Sequence, residues 1–233
     1  GLGDVYKRQE GNHTMTEFEG KRVFVTGSGA GIGKAISTMF IERGARVVVS
    51  DIDEGAAAKT AQEIGAAGVA NCDVSDEGQV QKAVAQAVDI LGGLDIVINN
   101  AGIEVSSPLL QQSTESFDKI YAVNVKGTFL VMKAAIGALI ESKGNIVNIA
   151  SLAGVGGTAL LGSYCATKAA VIQLTRVAAI EMRASGVRVN AVCPGFADTA
   201  MVDRLVPDFE AATQIPFGDL VAAKQGRLGT PED

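Results

Sequence analysis

Residues Arg22 to Gly33 read RVFVTGSGAGIG, and this stretch decides the fold. RVFVT is a five-residue run, rich in Val and without clean alternation, as expected of a strand covered on both faces of a parallel sheet. A glycine-rich turn built on Gly27, Gly31 and Gly33 follows at once and opens a helix through Ile32. Glycine admits positive φ, lets backbone N–H groups approach a pyrophosphate, and lets the helix pack closely on the strand. The helix N-terminus adds a partial positive charge for the anion. With 28 glycines in 233 residues a glycine-rich stretch alone matches easily by chance, so its context carries the weight. That context is a strand before, a helix after, and an acid closing the next strand: Asp51, 18 residues beyond Gly33. A carboxylate there accepts hydrogen bonds from both hydroxyls of an adenosine ribose.

Outward from this point, strand-length apolar runs alternate with helical patterns. Further strands are expected at Arg46–Ser50, Gly68–Cys72, Asp95–Asn99, Asn145–Ile149 and Val187–Val192. Val80, Val84, Ala87, Val88 and Leu91 form a helical stripe, with Ser75 as its N-cap. Short connections between alternating strands and helices imply an α/β fold, a Rossmann-like, doubly wound parallel sheet of right-handed crossovers. Asp73 and Val74 end the third strand, and Asn99, Asn100, Ala101 and Gly102 end the fourth. Small and polar residues at successive strand ends line one edge, where a ligand lying across the sheet needs them. Residues 196–225 mix apolar side chains with acids and prolines; that length predicts a substrate lid carrying short helices.

Composition narrows the chemistry. Twenty Lys+Arg against 26 Asp+Glu give a net charge of −6, which argues against a nucleic-acid partner. His13, the one histidine, sits in a polar leader, which excludes a Ser-His-Asp hydrolase and any zinc site needing several imidazoles; no metal is expected. Cys72, Cys165 and Cys193 are far apart and read as free thiols in a reducing compartment. With no uninterrupted apolar run of about 18 residues and no signal peptide, a cytoplasmic protein off the membrane is expected. Residues 1–14 read as a non-native leader, Met15 as a start, and 15–233 as one domain.

At the chemical end, Ser151 follows the fifth strand, and Tyr164 and Lys168 lie four apart in an Ala-rich helical run. That spacing puts phenol and ammonium on one helical face. A tyrosine with a reference pKa of about 10 is a poor base near neutrality, but a nearby cation, joined by an oxidised nicotinamide, lowers it. Such a phenol can pass a proton to or from an alcohol oxygen oriented by Ser151.

Gly27-x-x-x-Gly31-x-Gly33, Asn99-Asn100-Ala101-Gly102, Asn124, Ser151, Tyr164-x-x-x-Lys168 and Pro194-Gly195-x-x-x-Thr199 resemble, in order and spacing, the short-chain dehydrogenase/reductase family over about residues 17–233. The resemblance implies that Tyr164 is the catalytic acid/base and that Lys168 lowers its pKa and holds the nicotinamide ribose. It implies that Ser151 positions the substrate oxygen and that Asn124 holds a water in a proton relay with Lys168. Asp73 and Val74 would flank the adenine, Asn100 and Gly102 the adjoining ribose, and Pro194, Gly195, Ala197 and Thr199 the carboxamide. Ala197 stands where relatives usually carry Ile or Val, which thins that contact.

The implied function is an NAD-dependent oxidoreductase of a secondary alcohol or ketone, working as a homo-oligomer. Asp51, and Ala30 where NADP-dependent relatives carry Arg or Lys, favour NAD over NADP. The alternatives are an NADPH-dependent 3-oxoacyl reductase and a non-catalytic dinucleotide sensor. Against the first, carrier-docking arginines of such reductases fall on Ser142 and Ser185; against the second, Tyr164 and Lys168 are both present. Pocket residues expected from position are Ile103, Leu152, Ala153, Gly157, Thr158, Phe196, Met201 and Leu205, mostly apolar. Thr230-Pro231-Glu232-Asp233 reads as the start of a helix, and relatives continue with a helix and a strand, so a fragment is expected.

Overall fold

The computed structural model describes residues 17–233; the leader, His13 and Met15 lie outside the described residues. Among the described residues six parallel strands form one sheet: β1 (Arg22–Thr26), β2 (Arg46–Ser50), β3 (Gly68–Val69), β4 (Ile96–Asn99), β5 (Asn145–Ile149) and β6 (Arg188–Val192). Their spatial order is β3-β2-β1-β4-β5-β6, so the winding reverses between β1 and β4, where Val25 pairs with Ile98. At such a reversal the flanking connections leave in opposite directions and a crevice opens beyond the strands' carboxyl ends. Every predicted functional residue from Gly27 to Thr199 except those on helices falls in the connections leaving those ends.

The helices are α1 (Gly31–Glu42), α2 (Glu54–Ile64), α3 (Glu77–Leu91), α4 (Thr114–Tyr121), α5 (Thr128–Ser142), α6 (Gly162–Met182), α7 (Ala200–Thr213) and α8 (Phe217–Gln225). A π-helical stretch, Ala122–Gly127, joins α4 to α5. Strand alternation sorts the core. Phe24, Val48, Val97 and Ile146 face one way and pack with Val80, Val84, Ala87 and Leu91 of α3 and Leu130, Val131, Ala135 and Leu139 of α5. Val23, Val25, Val47 and Ile98 face the other way, against Ile36, Phe40 and Ile41 of α1. Thr114 to Ser142 is long and apolar enough to cross a bilayer by length and composition, yet its most apolar part supplies this core.

Two expectations need correction. The third strand stops at Val69 rather than Cys72: Ala70 N–H still donates to the Val49 carbonyl, at 2.9 Å, but the chain then leaves the sheet. Asp76, not Ser75, caps α3, its carboxylate accepting from Gln79 N–H at 2.9 Å. Ser75 is spent elsewhere, donating backbone N–H (2.8 Å) and hydroxyl (2.7 Å) to Asp73 Oδ1. An ionised acceptor at the N-terminal end also interacts favourably with the helix dipole.

Residues 196–225 carry two helices, α7 and α8. Leu205, Phe209, Phe217 and Val221 from them cluster with Leu161 just before α6. Thr230 to Asp233 forms a turn in which Asp233 accepts from Thr230 N–H at 2.7 Å and pairs with Arg227 at 2.8 Å.

Candidate active site

The glycine turn is shaped by steric necessity. Gly27 has φ +62°, and a Cβ there would lie 2.7 Å from Ala101 Cα; a Cβ on Gly33 would run into the Gly27 carbonyl oxygen. Gly31 also takes a positive φ, +52°. Ala30, at the N-cap of α1, offers no side-chain cap, so the first N–H groups of that helix are left for another acceptor. This turn, too tight for any side chain at Gly27 and Gly33, fits the diphosphate of a dinucleotide. Asp51 closes it from β2: Oδ2 accepts from Gly29 N–H at 3.0 Å and Oδ1 from Asp53 N–H at 3.1 Å.

The loop after β4 is stitched to the same turn. Asn100 Nδ2 donates to the Gly27 carbonyl at 2.8 Å, and Thr26 Oγ1 accepts from the N–H groups of Asn100 and Ala101, both at 3.2 Å. The Asn100 amide therefore holds protein backbone, in addition to lining the cleft.

Tyr164 and Lys168 stand one turn apart at the start of α6, with Lys168 Nζ 5.7 Å from the centre of the Tyr164 ring. Lys168 is buried, and its ammonium donates to the Ile149 carbonyl at the end of β5 at 2.7 Å. Burial pulls Lys168 down to about 8, with the Cys193 thiol opposing. Burial pushes Tyr164 up to about 12; the Ser151 hydroxyl opposes this, while the Glu104 carboxylate and Cys165 add to it. The expected lowering of Tyr164 by Lys168 is not found: desolvation dominates the shift, and the group that opposes it is the Ser151 hydroxyl. Ser151, just past β5, accepts from Ala153 N–H at 3.1 Å, which orients its hydroxyl at the head of a single 3-10 turn, Leu152–Gly154.

Asn124 sits in the π-helical stretch and is almost wholly buried. Its Oδ1 accepts from Ile103 N–H at 2.9 Å, and its Nδ2 donates to the Ile103 carbonyl at 2.9 Å and to Thr167 Oγ1 at 3.1 Å. Its amide is therefore a clamp between the β4 loop and α6, occupied by protein partners on both ends.

A cleft of about 1000 Å³, counting the part open to solvent, collects Ile32, Asn100, Gly102, Ser151, Tyr164, Lys168, Pro194, Gly195, Ala197 and Thr199. Gly27, Gly31, Gly33, Asp51, Asp73 and Asn124 stand outside its lining; Val74 and Ala101 line a smaller crevice beside it. Of the expected pocket residues, Leu152, Ala153, Thr158, Phe196, Met201 and Leu205 line the cleft, whereas Ile103 and Gly157 do not. Sequence reasoning missed Glu104, Leu161, Val202, Lys224 and Gln225. Glu104 carried a usable signal, since it is the first ionisable residue after a strand end already assigned to the site. Gln225 carried none: its Oε1 accepts from Phe196 N–H and its Nε2 donates to the Phe196 carbonyl, both at 2.7 Å across 29 residues.

The family model described as short chain dehydrogenase matches residues 21–209. The chain belongs to the short-chain dehydrogenase/reductase family. It is 40% identical to a sorbitol dehydrogenase of Cereibacter sphaeroides, over 92% of this chain and 87% of the relative. It is 45% identical to a 2,5-dichloro-2,5-cyclohexadiene-1,4-diol dehydrogenase of Sphingobium indicum, over 82% and 78%. The solved 3-ketoacyl-(acyl-carrier-protein) reductase from Brucella melitensis, complexed with NADH, superposes with a TM-score of 0.83 at 33% identity, covering 93% of this chain and 88% of that one. As a short-chain dehydrogenase/reductase, the protein is an oxidoreductase that works with a nicotinamide cofactor on alcohol or carbonyl groups.

Proposed function

We propose that this short-chain dehydrogenase interconverts a secondary alcohol and its ketone with NAD, using Tyr164 as acid/base. The convergence of Ser151, Tyr164 and Lys168 on one cleft carries the reading. The bound nicotinamide would accept the hydride from the carbinol carbon, or return it to the carbonyl. Ser151 and Tyr164 together hold the substrate oxygen by hydrogen bonds. In the reductive direction the neutral Tyr164 phenol gives its proton to that oxygen as negative charge develops there. In the oxidative direction Tyr164 must first be ionised, a state the buried charge of Lys168 favours, and its phenolate then takes the alcohol's hydroxyl proton as the hydride leaves the carbinol carbon. Asn124 acts one step back, setting the β4 loop against α6. Gly27, Gly31, Ile32 and Gly33 would hold the diphosphate, Asp51 the adenosine ribose, Asp73 and Val74 the adenine, Asn100, Ala101 and Gly102 the adjoining ribose, and Pro194, Gly195, Ala197 and Thr199 the carboxamide.

The NAD preference rests on Asp51. A 2′-phosphate carries about −1.5 to −2 charge, and each unit pair at ~5 Å costs roughly 3 kcal/mol at an effective dielectric near 20, less with screening. A 2′-hydroxyl would instead donate to the carboxylate. The relatives named above act on a polyol and a cyclic diol, which supports an alcohol substrate. The likeness to the ketoacyl reductase favours a 3-oxoacyl reductase as the second reading, although that neighbour is solved with NADH and so lends nothing to NADPH as its cofactor. A cytoplasmic homo-oligomer completes the proposal. A panel of secondary alcohols and 3-oxoacyl thioesters, assayed with both cofactors, tests it. NAD-dependent alcohol oxidation is expected; equal kcat/KM with NAD and NADP removes the cofactor preference, and no alcohol turnover removes the function.

A further inference from the structure

The substrate half of the cleft is mostly apolar, formed by Leu152, Leu161, Phe196, Met201 and Leu205, with Lys224 and one carboxylate, Glu104, among its lining residues. The Glu104 side chain is only 11% exposed. It lies close enough to Tyr164 for its charge to disfavour the phenolate. Arg204 on α7 reaches across to it, Nε to Oε1 at 3.3 Å and a terminal nitrogen to Oε2 at 3.4 Å, while remaining 64% exposed itself. Each carboxylate oxygen makes one such contact, and a long one, so each retains accepting capacity. Taking a carboxylate into an apolar wall is costly unless something hydrogen-bonds to it. Arg204 meets part of that need from the solvent side.

We infer that Glu104 is a specificity-determining residue that accepts a hydrogen bond from a second hydroxyl of the substrate, so that the preferred substrates are diols or polyols rather than simple alcohols. Glu104 and Tyr164 line the same cleft, so one hydroxyl can react at Tyr164 while another donates to Glu104. Arg204 holds the acceptor in place from the lid. An anionic substrate group at this position would be repelled. This inference rests on the alcohol-oxidising reading above.

The test compares matched substrates: 2,3-butanediol against 2-butanol, and 1,2-cyclohexanediol against cyclohexanol, each with NAD. The parent enzyme should favour the diol in kcat/KM by about 10- to 100-fold, the usual worth of a hydrogen bond to a charged acceptor. Glu104→Leu should collapse that ratio toward one. Glu104→Gln, which keeps the shape and one acceptor oxygen, should give an intermediate ratio, and melting curves would verify that both variants fold. A ratio unchanged in both variants overturns the inference, as does a parent that oxidises diol and mono-alcohol equally well. If the parent oxidises neither class, the alcohol-dehydrogenase reading itself fails.

Discussion

Lys168 combines a charge with 5% exposure, and the two are in conflict. Burial draws its pKa from 10.5 to about 8, so between those values the unfolded chain binds more protons than the folded one. Stability contributed by this residue therefore rises with pH across that window and is lowest below it. Lys168→Met removes the titration. Measured from pH 7 to 10, the melting temperature of the parent should climb relative to the variant, by at most the equivalent of on the order of 3 kcal/mol. Parallel curves would mean that the ammonium is not desolvated as the structure indicates. Turnover should meanwhile be lost, because the cost in stability is what places a charge beside Tyr164. Tyr164→Phe is the complementary change: it keeps the ring's packing and removes the proton. Turnover should fall by ~10²–10⁴ while cofactor affinity, read by calorimetry, stays near the parental value. Near-parental turnover in the Phe variant would end its assignment as acid/base.

Among elements, the glycine turn before α1 shows how local sequence and tertiary geometry divide the work. Gly33→Ala places a methyl group against the Gly27 carbonyl, where backbone cannot yield. Cofactor affinity should drop by at least ~10-fold, since the same turn must admit the diphosphate. Gly218→Ala, in α8 with open space around it, should instead stabilise by about 0.5 kcal/mol, visible as a slightly higher melting temperature. If both changes behave alike, the turn is not sterically committed. This turn, the strands and the Tyr164–Lys168 pair were legible because each is written in residues a few positions apart. The capping of α3 was misread because Asp73 and Asp76 compete for Ser75 and Gln79, and only the folded turn decides between them. The role of Asn124 as a clamp was not legible, since its partners Ile103 and Thr167 lie 21 and 43 residues away. Gln225 and the Glu104–Arg204 pair, the latter 100 residues apart, leave no periodic trace at all.

At the scale of the whole molecule, the parallel sheet needs helices on both faces, and the helices in turn have outer surfaces of their own. α5 and α6 are apolar well beyond what one sheet face can cover. Phe129 and Ile140 on α5 are 47% and 42% exposed, and Val177 and Ile180 on α6 are 42% and 75% exposed. Phe129 and Ile140 are 11 residues apart, about three helical turns, so they share one outer face; Val177 and Ile180, three apart, share another. Isolated surface apolar residues are ordinary, but several on long neighbouring helices are characteristic of a surface covered by another copy. We therefore expect light scattering to give a dimer or larger assembly for the parent. Glu at both Phe129 and Ile180 would put charges into that contact, where unpaired burial is prohibitive, and should shift the mass toward the monomer. Because Tyr164 and Lys168 belong to the same helix as Ile180, the dissociated variant should also lose thermal stability and, through α6, part of its activity. A parent that scatters as a clean monomer across the micromolar range would leave these side chains without a partner and the oligomer proposal without support.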